Sequence, residues 1–224
     1  MKSIRNSVIL LFSDKYNEVK RTLILSCLFS VVLVTARIIY TGSFLFIFLV
    51  WNLFLAFIPF FISDYITKDR ATGKIKKILL ALIWIAFLPN SFYIITDIFH
   101  LNMSEEMPLW YDLALLFSFA WNGVLFGIIS IRQMEKLIEP YIDEKIKPLF
   151  LYSIMFLNAI GIYIGRYLRF NSWDVITDPV LLIKDIIYLL VHPLRNRFDW
   201  SMIICYFILL TLIYTTIKKL GKAL

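Results

Sequence analysis

The chain has 224 residues, 60% of them hydrophobic, and a formal net charge of +7 from 23 Lys and Arg against 16 Asp and Glu. A soluble domain cannot hide that much apolar surface, and runs of about 18 or more apolar residues point to membrane helices. The basic residues sit in loops between those runs, as topology signals do, which speaks against nucleic acid as a partner.

Ile4 to Phe12 reads as a short interfacial helix with Lys2, Arg5 and Asn6 on its wet side, and no A-x-A-like cleavage site follows it. The first span is expected over residues 23–40, after Lys20-Arg21, with Arg37 near its far end, snorkelling or facing the bundle. Thr41-Gly42-Ser43 makes a tight turn into a second span, 44–63, which holds Trp51-Asn52 and Pro59. A basic loop with Lys68, Arg70, Lys74, Lys76 and Lys77 leads to the third span, 78–99. Its second half, from Leu88 to His100, places a proline and several polar groups where hydrocarbon is expected, a pattern that invites a functional explanation. Wound as an α-helix, it would hold Asn90, Tyr93, Asp97 and His100 within an arc of about 80°. Pro89 cannot donate to the Ile85 carbonyl, which leaves an acceptor for a neighbouring Asn or a water.

The fourth span, 109–131, opens with Asp112 and contains Trp121-Asn122-Gly123. The fifth, 149–168, ends at Arg166, with Arg169, Asn171, Trp173 and Asp174 directly after it. Asp178-Pro179 then starts a helix over 179–192, too short to span, with Lys184, Asp185, Tyr188 and His192 within about 100° of one another. It is expected to lie at the interface or to re-enter the membrane. The sixth span is 201–217. W-N-x-x-L-x-x-I occurs at Trp51 and again at Trp121, a weak sign of a helix-pair repeat.

The expected architecture is therefore an all-α polytopic transmembrane helix bundle of about six spans, forming a single integral membrane domain over residues 1–224. With both termini cytoplasmic, 17 of the 23 Lys and Arg residues fall on the inner side, which the positive-inside rule favours. Cys27 and Cys205 lie in apolar runs near opposite faces, so packing suits them better than a disulfide or a zinc site.

This topology brings Asn90, Tyr93, Asp97, His100, Asp112, Arg166, Arg169, Asn171, Trp173 and Asp174 toward the outer face as a candidate polar site. An Arg–Asp pair, Arg166 with Asp97 for example, would let both charges persist at low dielectric. Asn52, Asn122 and Asn158 suit interhelical hydrogen bonding. Two histidines and no H-E-x-x-H pattern give no reason to expect a metal or a cofactor.

The third-span motif L-P-N-x-x-Y-x-x-T-D-x-x-H-L, Leu88 to Leu101, and G-R-x-x-R-x-N-S-W-D, Gly165 to Asp174, resemble the domain-of-unknown-function 1361 family. Trp51-Asn52, Trp110-Tyr111-Asp112 and Thr177-Asp178-Pro179 fit the same pattern. The resemblance implies a multi-pass protein of a bacterial inner membrane and supplies neither an activity nor catalytic residues. Three readings stay open. One is an outward-facing site for a lipid headgroup or another anionic ligand, with arginines holding the anion and Asp97 and His100 beside them. Another is a small transporter acting as a homo-oligomer. The last is a non-catalytic subunit or assembly factor of an envelope complex. The residues compose no recognised catalytic set, which weighs against an enzyme.

Overall fold

The computed structural model describes residues 2–69, 73–103, 105–170 and 177–223, and these contain helix and turn but no strand. In chain order the helices are α1 (Lys2–Thr41), α2 (Phe48–Lys68), α3 (Lys74–Tyr93), α4 (Leu109–Ile138), α5 (Lys147–Arg166), α6 (Pro179–Val191) and α7 (Arg197–Ala223). A 3-10 segment, Ile94–His100, continues α3. Six stretches are long and apolar enough to cross a membrane: Tyr16–Thr41, Phe48–Lys68, Lys74–His100, Leu109–Tyr141, Lys147–Arg166 and Arg197–Gly221. The protein is thus a polytopic helical bundle that contacts the lipid bilayer.

Three local expectations are corrected. The separate helix expected over Ile4 to Phe12 is the first part of one continuous α1. The second span begins at Phe48 and not at Phe44, because Gly42 turns the chain at φ 70 and the next residues wind tightly. There the Ile47 amide donates to the Phe44 carbonyl and the Leu49 amide to that of Phe46. The third span does not stay α-helical to its end. From Ile94 it winds at about 3.0 residues per turn, so residues three apart eclipse, and Asp97 stands over Ile94 and under His100. The short helix α6 begins as expected, with the Asp178 carboxylate accepting from the Leu181 amide at 3.3 Å and Pro179 in the first turn. Leu182 and Leu189 face inward, whereas Val180, Ile183, Ile187 and Leu190 are exposed and offer a second apolar face.

α4 is the central post: 67% of its most apolar window is buried, against 17% for α7. α2 and α3 pack on it and on each other, while α5 packs on α3 and α7. One core cluster joins Trp84, Leu88 and Phe92 of α3 to Ile128 and Ile131 of α4, Met155 and Ile162 of α5, and Leu210 and Tyr214 of α7. Another joins Leu23 and Val34 of α1 to Leu49 and Ala56 of α2 and Leu115, Leu116 and Phe119 of α4.

Four glycines set how closely α3 approaches its neighbours. A methyl group placed at Gly123 would come within 2.3 Å of Ile94 Cγ2 and 2.9 Å of the Ser91 carbonyl, and one at Gly127 within 2.7 Å of the Phe92 ring. On the other side, Gly161 would meet the Pro89 ring at 2.5 Å and Gly165 the Tyr93 ring at 3.0 Å. Each pair is spaced G-x-x-x-G, so each lines one face of its helix. Hydroxyls bridge the same region. Ser91 Oγ donates to the Ala56 carbonyl at 2.9 Å, and Trp84 Nε1 donates to Ser130 Oγ, which donates to the Pro59 carbonyl. Asn90 Nδ2 donates to the Phe87 carbonyl at 3.0 Å and not to the Ile85 carbonyl that Pro89 leaves behind.

The pyrrolidine ring of Pro89 cannot rotate away from an added methyl. Gly161→Ala should therefore lower the thermal unfolding midpoint, at a cost of about 1–3 kcal/mol. Gly221→Ala, with nothing within 4 Å of the new carbon, should not lower it. Circular dichroism melts of the two variants in one detergent compare them. Equal midpoints would mean that α3 and α5 are not in contact through Pro89.

Candidate functional site

Asp97 is buried at the 3-10 end of the third span and accepts a hydrogen bond from Asn52 Nδ2 of α2 at 2.8 Å. His100, one 3-10 turn further on, holds Nδ1 3.1 Å from the Asp97 carbonyl oxygen, and its ring lies 5.0 Å from that of Phe48. Arg166 closes α5 with its guanidinium 5.1 Å from the centre of the Phe99 ring. Its charge acts on both Asp97 and His100, although neither is an ion-pair partner among the described residues. The expected Arg166–Asp97 pair is therefore replaced by Asn52–Asp97. Asp97 and Phe99 are two residues apart and point about 120° away from each other, so the arginine on the Phe99 side stands away from the carboxylate.

The arginine that does pair with an aspartate is Arg37. Fully buried on α1, it donates through Nε to Asp112 Oδ1 at 2.8 Å and through a terminal nitrogen to Oδ2 at 3.3 Å. Phe46 lies against its guanidinium at 4.5 Å, and Glu106 approaches to 3.8 Å. Tyr111 also donates to the Leu33 carbonyl of α1 at 2.8 Å. Arg37 and Asp112 thus fasten α1 to the start of α4.

The remaining candidates divide. Asn90 is half-buried, and Tyr93 packs on Gly165. Arg169 is exposed at φ 58, where the chain leaves α5 and the Phe170 amide turns back to the Ile164 carbonyl at 3.3 Å. Asn171, Trp173 and Asp174 lie outside the described residues. Of the intramembrane amides, Asn122 does bridge helices, donating to Ser30 Oγ at 2.9 Å, whereas Asn158 donates to Ile154 of its own helix. Among the described residues, no three His, Cys, Asp or Glu side chains group as a metal site.

Two ionic clusters at the other end of the bundle were not foreseen. Asp64 accepts from Lys20 at 2.9 Å, from Lys68 at 2.8 Å and from the Tyr16 hydroxyl. Gln133 of α4 joins that cluster, donating to the Tyr16 oxygen at 2.6 Å and accepting from Ser63 at 2.5 Å. Glu135 accepts from Arg132 at 2.8 Å, from the Tyr214 hydroxyl at 2.7 Å and from Lys218. The spacings Asp64–Lys68 and Arg132–Glu135, four and three residues, were the local signals available.

Residues 51–213 match a family described as "Protein of unknown function (DUF1361)". Asp97, His100, Asp112, Arg166 and Arg169 all lie within that segment, whereas Arg37 and Lys20 precede it. Comparison with curated proteins and with solved structures returned no match.

Removing Arg37 alone would leave Asp112 buried and uncompensated. Arg37→Met should cost about 3–5 kcal/mol, while Arg37→Met with Asp112→Leu should recover most of that loss. Denaturation in mixed micelles, read by far-UV circular dichroism, measures both. If the double variant is as unstable as the single one, charge compensation is not what the pair contributes.

Proposed function

The chain belongs to the family of proteins of unknown function DUF1361, and we propose that it binds an anionic group at Arg166, on the membrane face where Asp97 and His100 end the third span. The anion is the phosphate of a lipid headgroup or of a lipid-linked envelope precursor, met at the membrane surface. The observation that carries this reading is Arg166 itself. It is half-exposed at a helix end, braced on Phe99, with no ion pair among the described residues. Arg169 adds a second exposed guanidinium three residues on. A guanidinium offers a planar fork of donors suited to phosphate oxygens.

In this reading the Asp97 carboxylate, oriented by Asn52, accepts from a hydroxyl or amine of the same headgroup, and His100 supplies a further polar contact. Asn90 and Tyr93 support the wall beneath. Asn171, Trp173 and Asp174 follow Arg169 directly in the sequence. Asp112 acts at one remove, by holding Arg37. The distribution of lysine and arginine supports an extracytoplasmic location for this site, in a bacterial inner membrane with both termini cytoplasmic. No reaction is assigned. A second reading, a small oligomeric transporter, draws on Asn122 and Asn158, whose amide oxygens are buried with no partner among the described residues.

Native mass spectrometry of the purified full chain tests the proposal. The chain should carry bound anionic phospholipid, retention should fall about fivefold in Arg166→Ala, and Arg166→Lys should keep part of it. Unchanged lipid retention in Arg166→Ala would overturn the headgroup reading.

A further inference from the structure

α1 and α2 follow one another in the chain yet do not close on each other along their length. α1 packs on α4, and α2 packs on α3 and α4. Between α1 and α2 lies a groove of about 630 Å³. Its floor is formed by buried side chains, Leu23, Leu53, Phe60 and Phe126, and its rim by exposed ones, Ile24, Leu28, Phe54 and Phe61. A wall buried below and exposed above is a groove open sideways, toward the hydrocarbon of the bilayer.

The groove has a polar end. Lys20 and Asp64 belong to its lining. There Asp64 accepts from two ammonium groups at once, Lys20 and Lys68, so the cluster has one positive charge more than its single carboxylate neutralises. Lys20 lies 4.7 Å from the centre of the Tyr16 ring and Lys68 lies 5.4 Å from it. Lys68 is where the second span ends. The charge therefore sits at a membrane boundary, and the apolar wall runs inward from it. From Lys20 to Val31 the wall covers eleven helical steps, about 16 Å at 1.5 Å per residue. That is roughly half of a 30 Å hydrocarbon core, or the depth of one leaflet.

We propose that this groove is a binding site for one anionic glycerophospholipid, with an acyl chain along α1 and α2 and the phosphate against Lys20 and Lys68. The chemistry selects that occupant. Hydrocarbon fills the apolar trough, and the surplus ammonium charge discriminates an anionic headgroup from a zwitterionic one carrying the same tail. The site lies at the opposite end of the bundle from Arg166 and is independent of the function proposed above.

Photo-crosslinking of the full chain in nanodiscs tests this. The two probes are phosphatidylglycerol and phosphatidylcholine carrying the same mid-chain diazirine. Phosphatidylglycerol should label peptides of the groove wall, around Leu28 and Phe57, in preference to phosphatidylcholine. Lys20→Gln should cut that labelling about fivefold, toward the phosphatidylcholine level. Leu28→Trp, which fills the groove from its exposed rim, should abolish it. Phe29→Trp, equally exposed but outside the lining, should not. Arg166→Ala should leave groove labelling unchanged, so this site and the one at Arg166 fail separately. Equal labelling by both lipids and in Lys20→Gln would mean ordinary boundary lipid and overturn the proposal. So would groove labelling undiminished in Leu28→Trp.

Discussion

Everything at the centre of this bundle depends on how near α3 can come to α4 and α5. Within a bilayer, lipid tails are as apolar as leucine, so helices gain little from avoiding solvent and associate through close packing and hydrogen bonds. Gly123 and Gly127 on one side and Gly161 and Gly165 on the other leave room for Ile94, Phe92, Pro89 and Tyr93. The residues that break α3 as a regular helix are the ones the glycines receive. Pro89 is accommodated because Gly161 has no side chain opposite it, and the Ser91 hydroxyl reaches a carbonyl of α2 because the backbones are close.

Polar chemistry is then sorted to the two ends. Where a charge is fully enclosed it has an opposite charge against it, as Arg37 has Asp112, or an amide, as Asp97 has Asn52. Such enclosed pairs specify partners more than they stabilise, since desolvation offsets much of the attraction. Arg37 selects the start of α4 for α1, and Asn52 fixes the rotation of α2 toward the third span. At the far end, Asp64 and Glu135 each gather several donors from different helices, which ties α1, α2, α4 and α7 together where the spans leave the hydrocarbon.

Membrane crossings were legible in the sequence because length and hydropathy alone decide them. The start of α6 was legible as well, since Asp178 and Pro179 act locally. The partners of Asp97 and Asp112 were not. Arg37 lies 75 positions before Asp112, and Asn52 lies 45 before Asp97. In a helix apolar on nearly every side, composition does not fix rotation about the axis, so contacts across helices are undetermined. The G-x-x-x-G spacings at Gly123 and Gly161 were visible, but which residues of α3 they would receive is a matter of helix order. A wheel drawn at about 100° per residue also presumed an α-helix past Tyr93, where the chain winds more tightly.

The 3-10 segment Ile94–His100 has one more consequence, in length. Its seven residues rise about 2.0 Å each, against 1.5 Å in an α-helix. The tight winding therefore carries the end of the third span about 3.5 Å farther along the membrane normal than an α-helix of the same residues would reach. It also rotates His100 by about 140° relative to that alternative, at 20° per residue. The depth and bearing of the polar groups at this face are thus set by the gauge of one short coil, with no change in the number of residues.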